Sequence, residues 1–120
     1  MRHSSYECNQ GCPVEATLDV IGGKWKGVII YHLLERTYRF GELKRLMPGV
    51  TQHMLTKQLR ELEADGIINR KVYAEVPPKV EYSVSEYGES LREIIMLMQA
   101  WGTQHFVLSA DAKEAGETSD

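Results

Sequence analysis

The chain has 120 residues, 42% apolar and 26% charged, with a formal net charge of −3. That length fits one domain with one core, and the composition is that of an ordinary globular protein. No apolar run is long enough to cross a bilayer, and Met1-Arg-His-Ser-Ser lacks the apolar stretch of a signal peptide; a cytoplasmic protein with no membrane partner is expected.

Residues 1–11 are polar and read as a flexible N-terminal arm. Pro13 suits the first turn of a helix running to about residue 21, with Val14, Leu18 and Ile21 at helical spacing. Gly22-Gly23 breaks it. A second helix over residues 24–34 carries Trp25, Val28, Ile29, Ile30, Leu33 and Leu34, an apolar face broad enough to be central to the core. Tyr38-Arg39-Phe40 reads as a short strand able to pair with a later hairpin. A third helix over residues 40–47 turns Phe40, Leu43, Leu46 and Met47 inward. Pro48-Gly49-Val50-Thr51 makes a turn, and the Thr51 hydroxyl can accept an otherwise unpaired N–H at the start of the next helix. That fourth helix, residues 52–65, places Leu55, Leu59 and Leu62 at i, i+4 and i+7. It ends at Gly66, which supplies the left-handed conformation after a helix.

Two strand-like runs follow, residues 67–75 and 80–85, joined through Pro77-Pro78-Lys79. Val80, Tyr82 and Val84 alternate with Glu81 and Ser83, the period of a half-buried strand, and the prolines mark the hairpin tip because they cannot donate backbone hydrogen bonds. Ser85 can cap a last helix over residues 86–108. Residues 109–120 are small and acidic and read as a disordered tail. The expected fold is therefore mostly α with a small β wing over residues 12–108: a winged helix-turn-helix, dimerised through its terminal helices. Such a plan presents a polar helix face to a DNA major groove.

Charge follows the same division. Residues 24–79 hold 11 Lys and Arg against 6 Asp and Glu, or +5, while the remainder holds 3 against 11, or −8. A basic middle between acidic ends suits one surface that meets phosphate. The outer face of the fourth helix carries Gln52, His53, Thr56, Lys57 and Arg60. Gln pairs with adenine, Arg with guanine, and Thr with polar edges or a thymine methyl. Free N–H groups around Thr51 and Gln52 offer a phosphate site. Arg70, Lys71 and Lys79 on the wing suit phosphate or the minor groove, and Lys24 and Lys26 add candidate phosphate contacts. In isolation such charges also describe a solvated face; the helix-turn-helix order is what favours DNA.

The last helix is too apolar for one buried stripe. Leu91, Ile94, Ile95, Met98, Trp101 and Phe106 share a broad face, and Met96, Leu97 and Val107 add to it. The surplus points to a homodimer, which would read two half-sites of a near-palindromic operator. Cys12 directly precedes Pro13 at a helix N-terminus, where the macrodipole favours an anion; this makes it a candidate sensor of oxidants or electrophiles, with Cys8 as resolving partner. A small residue tucked under the dimer helices is the other reading. His3, Cys8 and Cys12 match no metal motif, so no metal or other cofactor is expected. No Gly-rich phosphate loop and no nucleophile–base pair supports an enzyme.

Four stretches together resemble the HxlR family of bacterial transcriptional regulators: Cys12-Pro-Val-Glu-Ala-Thr-Leu-Asp-Val-Ile-Gly-Gly-Lys-Trp25, Arg39-Phe-Gly-Glu-Leu43, Met54-Leu-Thr-Lys-Gln-Leu-Arg-Glu-Leu-Glu-Ala-Asp-Gly66 and Val76-Pro-Pro-Lys-Val-Glu-Tyr82. The resemblance implies a dimeric winged helix related to MarR-type regulators, acting as repressor or activator near its own gene or a divergent neighbour. It also implies, for some relatives, thiol sensing at the position of Cys12. Other members respond to small aromatic ligands beneath the dimer helices; Trp25, Tyr31, Tyr87, Met98 and Trp101 would line such a pocket, or are plain core. A protein-interaction module that does not bind DNA is the remaining alternative.

Overall fold

A computed structural model describes residues 11–107. Cys8, His3 and the acidic tail lie outside the described residues, as does nearly all of the expected arm. The order is α1 (Pro13–Ile21), α2 (Lys26–Glu35), β1 (Tyr38–Arg39), α3 (Phe40–Leu46), α4 (Gln52–Ala64), β2 (Ile68–Tyr73), β3 (Lys79–Val84), a short 3-10 helix (Gly88–Leu91), α5 (Arg92–Gly102) and a π-helical turn (Thr103–Val107). Among the described residues no helix is long and apolar enough to cross a membrane. The chain divides into two compact units, one ending at Ser90 and one beginning at Leu91.

The first unit is the winged helix. Ile29, Ile30 and Leu33 of α2 meet Leu43 and Met47 from α3, Leu55, Leu59 and Leu62 from α4, and Ile67 and Ile68 at the start of the wing, all essentially closed to water. Each such side chain contributes about 1.5–3 kcal/mol by leaving water. Three antiparallel strands run in the order β1-β3-β2, with Tyr38 opposite Tyr82 and Arg70 opposite Tyr82 on the other side. The short β1 thus ties the link between α2 and α3 to the wing.

Local chemistry fixes the ends. The Arg39 N–H donates to Glu42 Oε1 at 2.8 Å, opening α3. The Met54 N–H donates to Thr51 Oγ1 at 3.1 Å, the expected cap of α4. Gly66 has φ of 79°, the left-handed turn that lets the chain leave α4 for the wing.

Four expectations change. Leu46 is exposed although Leu43 and Met47 are buried, because α3 is short and turns only one narrow stripe inward. Val14 and Leu18 stand on solvent, at 66% and 57% exposure, so in the single chain α1 buries only Ile21. All of β3 is half-buried rather than alternating, since strands flank it on both sides. The expected helix over residues 86–108 is three pieces. Ser85 does cap the first of them: its Oγ accepts from the Gly88 N–H at 2.9 Å, while its proton is shared between the Gly66 and Ile67 carbonyls at 2.6 and 3.0 Å. A Cβ on Gly88 would lie 2.2 Å from the Ile67 carbonyl oxygen, so the chain passes there as a tight 3-10 turn before α5 begins at Arg92.

In the second unit, Ile95 is the one buried residue of α5. Ile94, Leu97, Met98, Trp101 and Phe106 are all exposed. Trp101 stacks against His105 and Phe106, with ring centroids 4.2 and 5.7 Å away.

Candidate nucleic-acid interface

α4 packs on α2 and β2 through its leucine stripe, which fixes what faces outward. At 100° per residue, His53, Lys57 and Arg60 fall in one row opposite the leucines, and Gln52, Thr56 and Glu63 fall on one flank. Gln52, His53, Lys57 and Arg60 are exposed and Thr56 is half-buried, so the expected reading face is brought together. Among the described residues neither Lys57 nor Arg60 is held in an ion pair.

Lys26 is a correction. Its side chain is buried, and Nζ lies 2.6 Å from Glu61 Oε1 on the side of α4 that faces α2. A cation enclosed this way pins two helices and is not free for phosphate. Lys24 stays exposed beside the Trp25 ring, 4.9 Å from its centroid.

The wing cations also separate. Successive strand residues point to opposite faces. Arg70 turns with its partner Tyr82 toward α4, and the two line a shallow cleft of about 280 Å3 together with Thr56, Leu59, Arg60 and Glu63. Lys71, Tyr73, Lys79 and Glu81 share the other face. There Lys71 and Lys79 sit over the Tyr73 ring at 4.9 and 4.6 Å, and Lys79 Nζ lies 3.4 Å from Glu81 Oε2. The Tyr73 hydroxyl donates to Glu81 Oε1 at 2.9 Å. That bond holds the Glu81 carboxyl below its ordinary range against the opposing effect of desolvation, with lesser help from the Lys79 and Arg39 charges. Lys79 is therefore tied back, and the tip itself exposes Val76 fully.

Sequence reasoning passed over Lys44 and Arg45, exposed in the last turn of α3. Two consecutive cations beyond the buried Leu43, on the helix that precedes α4, were the available signal. It also missed Glu63 and Tyr82 in the cleft. Of the expected aromatic pocket, Trp25 is buried in the first unit while Tyr87, Met98 and Trp101 are exposed. Cys12 is exposed, with its carbonyl accepting from the Ala16 N–H at 3.1 Å as α1 begins. Among the described residues no three His, Cys, Asp or Glu side chains gather as metal ligands.

This arrangement recurs in known proteins. A family model described as HxlR-like helix-turn-helix matches residues 20–109. The chain is 59% identical over 97 residues to an uncharacterized HTH-type transcriptional regulator, YybR of Bacillus subtilis strain 168, covering 81% of this chain and 78% of that one. The redox regulator HypR in its oxidized form superposes with a TM-score of 0.77 at 58% identity, covering 78% of this chain and 97% of that one. The reduced form of the transcriptional regulator YodB from B. subtilis gives 0.68 at 37% identity, covering 80% and 95%.

Proposed function

Because the chain belongs to the HxlR-like helix-turn-helix family, we propose that it is a transcriptional regulator that binds operator DNA as a homodimer, not an enzyme. The observation that carries this reading is the outward row of α4: capped at Thr51, free of ion pairs among the described residues, and followed in the chain by the wing. Gln52, His53, Thr56 and Lys57 enter the major groove. Lys44, Arg45 and Lys24 meet phosphate beside it, and Arg70 reaches out from the wing, with Lys71 and Lys79 adding less because their charges are partly engaged. Lys26 takes no part.

The dimer is supported by apolar surface left on water in both units: Val14 and Leu18 of α1, and Ile94, Leu97, Met98, Trp101 and Phe106 from the second unit, with Leu91 half-buried beside them. Ile95, already closed to water, has little left to offer a partner. Exposed apolar side chains in this number mark an association surface. Footprinting tests the whole reading. Two protected half-sites about 34–36 Å apart are expected from a symmetric dimer; a single short footprint, or none, contradicts it.

A thiol signal is the reading that Cys12 favours, exposed at the start of α1 beside the apolar surface proposed for the dimer. HypR is described as a redox regulator, which supports carrying that role to this chain. Diamide should then weaken DNA binding by the wild type and leave Cys12→Ser unaffected. Equal sensitivity in both proteins would move the signal elsewhere, to a small aromatic ligand or to none.

A further inference from the structure

Arg60 was expected to read a base, but the fold gives it another neighbour. Thr56 and Glu63 lie on the flank of α4 beside the sheet, Arg60 stands at the edge of the outward row next to them, and the cross-strand partners Arg70 and Tyr82 line the same cleft. Leu59, almost wholly buried, is the apolar floor of the cleft between them. Two guanidiniums from different elements thus border one opening. Among the described residues neither is in an ion pair. Like charges so placed are relieved by an anion lying between them.

The geometry of B-DNA names that anion. With α4 in the major groove and the wing reaching the adjacent minor groove, the phosphate strand that separates the two grooves must pass between α4 and the wing. The cleft is that passage. Guanidinium forks match phosphate oxygens two at a time. Resting on the DNA-binding reading above, we infer that Arg60 and Arg70 close on a single phosphate of the crossing strand, so that Arg60 is a backbone clamp and not a base reader. Thr56 and Glu63 stand seven residues apart, about 10 Å along the helix. Thr56 marks the groove end of the cleft, and the Glu63 carboxylate repels the strand from the far end and sets where it crosses.

The test uses a duplex that the wild-type protein selects from a random-sequence pool. Its affinity is titrated against salt for the wild type, Arg60→Ala, Arg70→Ala and the double variant. A shared phosphate lowers the slope of log affinity on log salt by about 0.9 per half-site in the double variant, whereas two separate phosphates lower it by about 1.8. One neutral methylphosphonate per half-site should weaken the wild type, and that same position should matter less to each single variant and no longer matter to the double variant. Reselection with Arg60→Ala should return the wild-type sequence. A slope loss of about 1.8 per half-site, sensitivities that map to two different phosphates, or relaxed preference at one base pair in Arg60→Ala overturns the clamp while leaving DNA binding in place. Failure of the wild type to select any duplex overturns the DNA reading itself.

Discussion

α4 buries Leu55, Leu59 and Leu62 to 2% exposure or less, while α5 leaves Leu97, Met98 and Trp101 half exposed or more. Both helices are amphipathic, and both contain enough apolar surface to be stabilised by packing. In α4 the surface is matched within the chain by α2 and β2, which frees the opposite face to be largely polar. In α5 the apolar residues spread around more of the circumference than one stripe can hide, and Ile94, Leu97, Met98 and Trp101 stay exposed. The contrast separates the two tasks proposed above: the first helix is finished as a folding element and keeps its outer face for DNA, and the second keeps apolar side chains for a second copy of the chain.

That contrast can be broken or sharpened by substitution. The largest effect belongs to the finished helix. Leu62→Ala should cost about 2–5 kcal/mol, because a fully closed site cannot collapse around the missing atoms. Urea unfolding at several protein concentrations reads it, and the loss should persist at all of them. In the second unit, Trp101→Ala should act on association, weakening the dimer by about 2 kcal/mol or more if it is a central anchor. Sedimentation velocity reads this directly, and a variant that sediments like the wild type removes Trp101 from the interface.

Next come two lysines that look alike in sequence. Lys26→Ala should lower stability by about 1–3 kcal/mol, short of the full buried-pair figure because Glu61 keeps contact with water. It should leave the salt slope of DNA binding unchanged. Lys57→Ala should do the reverse, with unaltered unfolding and, if it meets phosphate, a slope reduced by about 0.9 per half-site. Matching behaviour in the two would show that burial does not separate them.

The smallest effect is a pH dependence. Burial pushes the His32 pKa below its ordinary 6.5, against the upward pull of Glu35. A lowered folded pKa means that neutral His32 adds stability in full above pH 6.5; the contribution is lost as the pH falls through the lowered value, since the unfolded chain takes up its proton first. Thermal unfolding between pH 7.5 and pH 5 should therefore be flatter in His32→Gln. An equal decline in both proteins would place the titrating group elsewhere.

How much of this was legible in the sequence depended on range. Periodicity placed α2, α4 and both wing strands, because leucine spacing and strand propensity are local. Thr51 and Gly66 were readable for the same reason: a cap and a left-handed turn need only their neighbours. The errors came from distant partners. Lys26 looked like a surface cation because Glu61, its partner, lies on another helix. Arg70, Lys71 and Lys79 looked like one group because a list of charges does not say which face of a strand each occupies; the β2–β3 register does. The break at Gly88 follows from a carbonyl of Ile67 that only the folded chain brings near. The cleft between Arg60 and Arg70 needs the sheet to be docked on α4 before it exists at all.

The most direct test is fluorescence anisotropy of the reduced protein on DNA from upstream of its own gene, measured across a salt series beside a Gln52→Ala, Lys57→Ala double variant. If α4 is the reading helix, the wild type binds tightly with an affinity that falls steeply with salt, and the double variant loses both discrimination against unrelated DNA and part of the slope. Wild-type binding that is insensitive to salt, or a double variant indistinguishable from it, would contradict the assignment of α4 to the major groove.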